Sequence, residues 1–250
     1  MSKARIIVTG GCGYIGSHTI VDLIDSGFDV VSLDNFINST PEVIKGIAAI
    51  TGKTIENINC DLSNSESSIT QVRQWGHFDA IIHFAALKSV EESVFHPGKY
   101  FKNNVGSTLT TIQMMEELNI PYLIFSSSCT VYGSPDKLPV TEVTPMNRAE
   151  NPYGASKQTC EILYEQFFNS RNKISSPGEK MKGISLRYFN PAGAHSSALI
   201  GESSLNPPTN LIPVITETAI GLRDELIVHG DDYHTRDGSC VRDYIHVMDL

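Results

Sequence analysis

Tyr153 and Lys157 stand four residues apart in the segment Tyr153-Gly154-Ala155-Ser156-Lys157, downstream of a serine run at Ser126, Ser127 and Ser128. On a helix, side chains at that spacing share one face. A phenol so placed beside an ammonium can exchange a proton with a substrate hydroxyl. A free tyrosine ionises near pH 10, so service as a base near neutrality needs a fall of about 3 pH units, roughly 4 kcal/mol. A cation about 4 Å away in a partly screened site supplies an interaction of that order. Ser128 follows the apolar run Tyr122–Phe125 and could hold the substrate oxygen while the phenol takes the proton, with Thr130 as a second candidate hydroxyl. The same Tyr-x-x-x-Lys pattern occurs on ordinary amphipathic helices, so its meaning depends on what positions it.

That context begins at the N-terminal end. Arg5-Ile6-Ile7-Val8-Thr9 reads as a buried parallel strand. It runs into a turn with Gly10, Gly13 and Gly16, and then into a helix marked by Ile15, Thr19, Ile20, Leu23 and Ile24, which stops at Gly27. Glycines at those positions let the turn tighten and let backbone approach a pyrophosphate, which the helix N-terminus binds through its free N–H groups. The second strand spans Asp29–Asp34. Asp34 stands where a carboxylate would accept from a ribose 2′-hydroxyl and repel a 2′-phosphate, so the pattern predicts NAD over NADP. Asp61 follows a predicted third strand over Thr54–Asn59, where it is a candidate for the adenine amino group or a plain turn residue.

Strand and helix patterns continue to alternate. Asp79–Phe84 reads as a strand ending in Ala85-Ala86; a long helix opens at Pro97 with Tyr100, Phe101, Val105, Leu109, Ile112 and Met115 on its apolar face; Asn151-Pro152 caps another; Gly183–Tyr188 is a further strand. The alternation predicts an α/β, Rossmann-like, doubly wound parallel sheet. Segments 63–68 and 172–182 read as exposed loops. After Asn190 prolines multiply and segments shorten, which predicts a dinucleotide-binding domain over 1–190 and the start of a smaller, apparently truncated substrate region over 191–250. There a helix over Asn210–Gly221 and a strand over Leu226–Val228 are expected.

The formal charge of −9 disfavours nucleic acid, whose phosphates need a basic face, but leaves room for a small phosphate-bearing ligand. The five scattered cysteines, without Cys-x-x-Cys or Cys/His spacing, read as reduced thiols, and the eight histidines show no metal-binding pairing. Asp231-Asp232 reads as a solvated loop. The chain runs from Met1-Ser2-Lys3 into a strand pattern with no signal-peptide or membrane-spanning pattern, and the expectation is a cytoplasmic protein.

Segments 8–18, 33–39, 83–93, 103–109, 125–133, 151–157, 186–195, 208–213 and 241–250 carry a resemblance to the extended short-chain dehydrogenase/reductase family and, within it, to the UDP-hexose 4-epimerases. The resemblance spans nearly the whole chain. It implies interconversion of UDP-glucose and UDP-galactose at C4: Tyr153 removes the 4-hydroxyl proton, hydride passes to tightly held NAD⁺, and the 4-keto sugar turns and is reduced on its other face. It further implies that Ser128 or Thr130 binds the 4-oxygen, that Lys157 holds the nicotinamide ribose, and that Tyr188 lies by the nicotinamide. Tyr14 and Ile15 line the pyrophosphate turn; Asp34, Asn35, Asn38 and Ser39 hold the adenosine ribose; Asp61 and Leu62 meet adenine; Phe84, Ala85, Ala86 and Lys88 run along the cofactor, with Asn103 nearby. Asn190, Asn210 and Arg242 would hold the UDP phosphates, with Lys88 also facing substrate, and His229 falls in the uridine-binding region. A guanidinium fork at Arg242 suits a diphosphate. A homodimer built on the helices near 97–118 and 153–169 is implied as well.

Two departures stand out. Cys129 replaces a familiar alanine, and members of the family continue well past Leu250 into a part that completes the sugar pocket. Nucleotide-sugar 4,6-dehydratases are the nearest rival, but they place an Asp-Glu pair after the hydroxyl residue, where this chain has Cys129 and Thr130. A non-catalytic NAD-sensing protein is the rival of another class; such proteins can lose the tyrosine and lysine that this chain keeps.

Overall fold

The computed structural model describes residues 3–176, 179–203, 205 and 207–250. Strands β1 (Arg5–Thr9), β2 (Asp29–Leu33), β3 (Glu56–Ile58), β4 (Ala80–His83), β5 (Tyr122–Ser126) and β6 (Lys182–Leu186) form one parallel sheet in the order β3-β2-β1-β4-β5-β6. The chain winds outward from β1 on one side, then returns to place β4 on the other. The resulting switch point lies between β1 and β4, and the crevice at the carboxyl ends there is where such sheets bind ligands.

The strands are apolar on both faces, as helix-covered strands must be. Ile7, Val31, Leu33, Ile81, Leu123 and Phe125 face one way, against Ile69 and Val72 of α3 (Ser65–Arg73), Met114 and Met115 of α6 (Gly106–Leu118), and Tyr164 of α7 (Pro152–Ile174). Their neighbours Ile6, Val8, Val30 and Ile82 face the other way, against Ile20 and Ile24 of α1 (Tyr14–Asp25) and Ile47 of α2 (Glu42–Thr51). The period-2 alternation of the strands thus sorts the core into two layers.

Several expectations need correction. Segment 63–68 is not a loop throughout: Asn64 accepts from the Ser67 amide and starts α3 at Ser65. A serine-rich opening hides a helix whose apolar face is only Ile69 and Val72. The loop after α7 is shorter than expected, because α7 runs to Ile174 and β6 opens at Lys182; positions 177 and 178, like Met1 and Ser2, lie outside the described residues. The helix opened by Pro97 is not continuous. After α4 (Val90–Phe95) comes α5 (Pro97–Tyr100), and a π-helical turn over Phe101–Val105 separates it from α6.

Beyond β6 a second, two-stranded parallel sheet pairs β7 (Asn190–Ala192) with β8 (Tyr244–His246), and α8 (Leu211–Ala219) lies between them in sequence. The expected strand at Leu226–Val228 is not formed. Among the described residues no strand pairs with it, and Ile227 and Val228 stay 61% and 72% exposed. Among the described residues no helix is long and apolar enough to cross a membrane.

Candidate active site

The glycine turn is built as its sequence requires. Gly10 has a left-handed φ of 65°, and a side chain there would run into the backbone of Ala85 at the end of β4. A Cβ at Gly16 would strike the Gly10 carbonyl oxygen, so the helix can begin this close to the strand only with glycine. Gly13 caps α1 without a side-chain bond, leaving the amides of Tyr14, Ile15 and Gly16 without intrahelical partners at the crevice. At the end of β2, Asp34 accepts from the Cys12 amide at 3.0 Å, the Phe36 amide at 2.8 Å and the Ser39 hydroxyl at 3.1 Å. These bonds fix its carboxylate beside the turn. A bare cradle of helix amides next to an anchored acid fits a dinucleotide with a free ribose 2′-hydroxyl.

The remaining residues expected along this crevice are distributed unevenly. Asn35 accepts from the Ile37 amide at 3.1 Å, Asn38 is exposed, and Leu62 packs in the core. Asp61 is exposed and caps its own turn by accepting from the Ser63 amide at 2.9 Å. Phe84, Ala85 and Ala86 follow β4, half-buried, at the switch point. Asn103 is half-buried within the π-helical turn, and its neighbour Asn104 does the structural work there. The Asn104 side chain receives the Leu87 amide at 2.8 Å and donates to the Leu87 carbonyl at 3.1 Å and to the Ser156 hydroxyl at 3.0 Å. It clasps the loop after β4 to α7. His83 is a second knot that spacing could not reveal. It is buried, bonds the Thr9 hydroxyl at 2.7 Å, and burial drives its pKa down to about 3, so it is neutral.

Tyr153 and Lys157 sit where β5 meets α7. Asn151 accepts from the Gly154 amide at 2.8 Å and Pro152 opens the helix, so Tyr153 and Lys157 enter on the face turned toward the serine run. The phenol of Tyr153 lies within the influence of Ser128, whose Oγ accepts from the Thr130 amide at 3.3 Å. Lys157, 3% exposed, donates from Nζ to the Ser126 carbonyl at 2.8 Å and lies 4.9 Å from the centre of the Phe125 ring. Ser126 also bonds the hydroxyl of Tyr188, and Ser127 donates to Glu161. Thr130 is different: its Oγ1 is buried without a partner among the described residues and its Cβ packs toward Gly154. Of the two candidate hydroxyls, Ser128 is the one whose influence reaches the phenol.

The expected lowering of the tyrosine pKa is not what the protein alone delivers. Burial pushes the Tyr153 phenol up to about 12, against a smaller lowering influence of Ser128. Burial also brings Lys157 down to about 8. Desolvation is the largest influence on the phenol, and the Lys157 ammonium, turned to the Ser126 carbonyl, is not among the groups that offset it.

Toward the other end of the crevice, Lys88 pairs with Glu202 at 2.7 Å, and Asn210, the residue before α8, donates to the same carboxylate at 2.6 Å. Glu202, which the sequence did not single out, therefore joins Lys88 and Asn210, which it did. Asn190 donates to the Asp243 carbonyl at 2.8 Å, which brings it beside Arg242; Arg242 in turn acts electrostatically on Cys129, in the serine turn. His229 is exposed, and no hydrogen bond among the described residues ties it to the others. Tyr14 donates to the Gly193 carbonyl at 2.6 Å and His18 accepts from the His195 amide at 3.1 Å, so α1 is stitched to the region beyond β6.

The family model described as GDP-mannose 4,6 dehydratase matches residues 7–250. A UDP-glucose 4-epimerase of Dictyostelium discoideum is 46% identical over 98% of this chain and 69% of its own length, and one of Yersinia enterocolitica is 45% identical over 98% and 70%. The chain thus spans about 70% of the length of these relatives. The crystal structure of UDP-glucose 4-epimerase from Bifidobacterium longum in complex with NAD⁺ and UDP superposes with a TM-score of 0.90 at 42% identity, over 98% of this chain and 71% of that one. With the dinucleotide cradle, the anchored acid and the Ser–Tyr–Lys arrangement in one crevice, the chain belongs to the UDP-glucose 4-epimerases of the extended short-chain dehydrogenase/reductase family.

Proposed function

We propose that this chain interconverts UDP-glucose and UDP-galactose by reversible oxidation at C4. The observation that carries the proposal is the Tyr153 phenol, set toward Ser128 and one helical turn from Lys157, at the carboxyl edge of a sheet with a dinucleotide cradle. When bound, oxidised NAD supplies the hydride acceptor and a positive charge that brings the phenol down from its elevated pKa. Tyr153 takes the 4-hydroxyl proton as the sugar is oxidised and returns it on reduction, so no proton is consumed. Ser128 orients the 4-oxygen. Lys157 holds the ribose and keeps a cation under the site. Asn190, Arg242, Lys88 and Asn210 face the UDP phosphates, with His229 toward uridine. We read 1–190 as the cofactor domain and 191–250 as substrate-facing.

The dehydratase reading, suggested by the description of the matched family model, lacks its acid. Position 129 is Cys and 130 is Thr, and the nearby Glu161 is committed to Arg187 and Ser127. A homodimer is supported by the apolar side chains exposed along α4 to α7: Val94 is 57% exposed, Phe95 72%, Leu109 46% and Ile162 47%. An assay of UDP-galactose conversion without added NADH tests the reading. The expected product is UDP-glucose with no net absorbance growth at the reduced-nicotinamide band. A 4-keto-6-deoxy sugar, or stoichiometric NADH, would reject it.

A further inference from the structure

Three side chains on one face of α7, Tyr153, Lys157 and Glu161, stand opposite three consecutive serines at the end of β5. Lys157 donates to the Ser126 carbonyl at 2.8 Å and Glu161 accepts from the Ser127 hydroxyl, while Tyr153 lies toward Ser128. The Lys157 contact belongs to the reacting pair. The Glu161 contact touches neither substrate nor cofactor in any step described above.

Glu161 is only 8% exposed, and a buried carboxylate persists only when paired. Arg187, just past β6, supplies the partner as a fork: Nε lies 2.9 and 3.1 Å from the two carboxylate oxygens, and Nη2 lies 2.6 Å from Oε2. The same guanidinium stacks 5.0 Å from the centre of the Tyr132 ring, at the far end of the turn Cys129–Tyr132. The carboxylate therefore grips the serine turn at its start through Ser127 and, by way of Arg187, at its end through Tyr132. A buried ion pair of this kind is seldom worth more to stability than a well-packed apolar pair. Its value here lies in geometry, since a shift of about 1 Å in a reacting group can cost on the order of 100-fold in rate.

We propose that Glu161 is a positioning residue for the Tyr153–Lys157 pair, acting through Ser127 and braced by Arg187. The inference rests on the epimerase reading. Glu161 sets the distance between β5 and α7, and hence the Ser128–Tyr153 separation.

The test uses Glu161→Gln, Ser127→Ala and the double variant of the whole chain. Wild type is assayed first with UDP-galactose. We expect each single variant to lose about 10- to 100-fold in kcat with KM, and calorimetric affinity for UDP, within about twofold. The double variant should lose no more than the worse single, because both changes break one linkage. A crystal structure of Ser127→Ala should show the Ser128–Tyr153 separation lengthened by about 0.5 Å, the tolerance within which a catalytic group must be held. Additive losses, an unchanged kcat in both singles, or UDP affinity falling in step with kcat would overturn the proposal. An inactive wild type would sink the epimerase reading instead, and the Ser128–Tyr153 separation would still decide the positioning claim. Should Glu161→Gln fail to fold, Ser127→Ala, which leaves the Glu161–Arg187 pair intact, decides it alone.

Discussion

The sheet from β1 to β5 and the region beyond residue 190 are built on different terms. In the first, Ile7, Val8, Ile81 and Phe125 are 0 to 1% exposed and helices cover both faces. In the second, Leu222, Ile227, Val228 and Val241 are 72%, 61%, 72% and 77% exposed, and burial is confined to a few residues such as Val247 and Pro213. The first region carries its own hydrophobic stabilisation. The second is tied on largely by polar stitches: Tyr14 to Gly193, His18 to His195, and Lys88 and Asn210 to Glu202. Among the described residues, Ile200 is the member of this region that packs in the layer with α1 and α2. On the proposed reading the chemistry belongs to the packed region, where a phenol and an ammonium can be held dry. Asn190, Asn210 and Arg242, proposed to face the diphosphate, belong to the looser one, where recognition needs donors more than rigidity.

The comparison can be broken in four places, taken from the largest effect down. Tyr153→Phe should cut turnover by about 100- to 10,000-fold while bound NAD is retained, as native mass measurement would record. Unchanged turnover would remove the chemistry from the packed region. Leu33→Ala, in the heart of the sheet, should cost about 2–5 kcal/mol in denaturant unfolding. Lys157→Met should abolish activity yet relieve a burial penalty. The lysine pKa falls from 10.5 to about 8 on folding, worth roughly 3 kcal/mol below pH 8. Between those two values the unfolded chain binds the proton and the folded chain does not, so wild-type stability rises with pH there. The variant should therefore be the more stable at pH 7 and lose its lead by about pH 10.5, a crossover that thermal melts across pH would check. Leu222→Ser, in the exposed region, should change stability by less than about 0.5 kcal/mol. A cost comparable to that of Leu33→Ala would mean that the second region packs against something.

Much of this was legible in the residues. The βαβ unit from Arg5 to Asp34 announced itself because strand, glycine turn and helix signals agree there. The Asn151-Pro152 cap located Tyr153 and Lys157 on their helix face to within a residue. What stayed hidden depends on contacts distant in sequence. Glu161 lies 34 residues from Ser127 and 26 from Arg187, and no local pattern links them. Asn104 becomes a clasp only because a π-helical turn rotates it toward Leu87 and Ser156. The apolar triplet 226–228 misled for the opposite reason: a β-branched run predicts a strand only where an edge is available to pair with it. The phenol's elevated pKa was missed because spacing reveals a cation's presence but not how deeply the phenol is buried.

The most direct test of the central claim follows an isotope. UDP-galactose bearing deuterium at C4 is incubated with the purified chain carrying its own cofactor, and the product is read by proton and deuterium NMR. Oxidation and reduction in place predict UDP-glucose with the deuterium still on C4 and no labelled cofactor in solution. Product that has lost the label to solvent, or no product at all while NAD remains bound, would contradict the account.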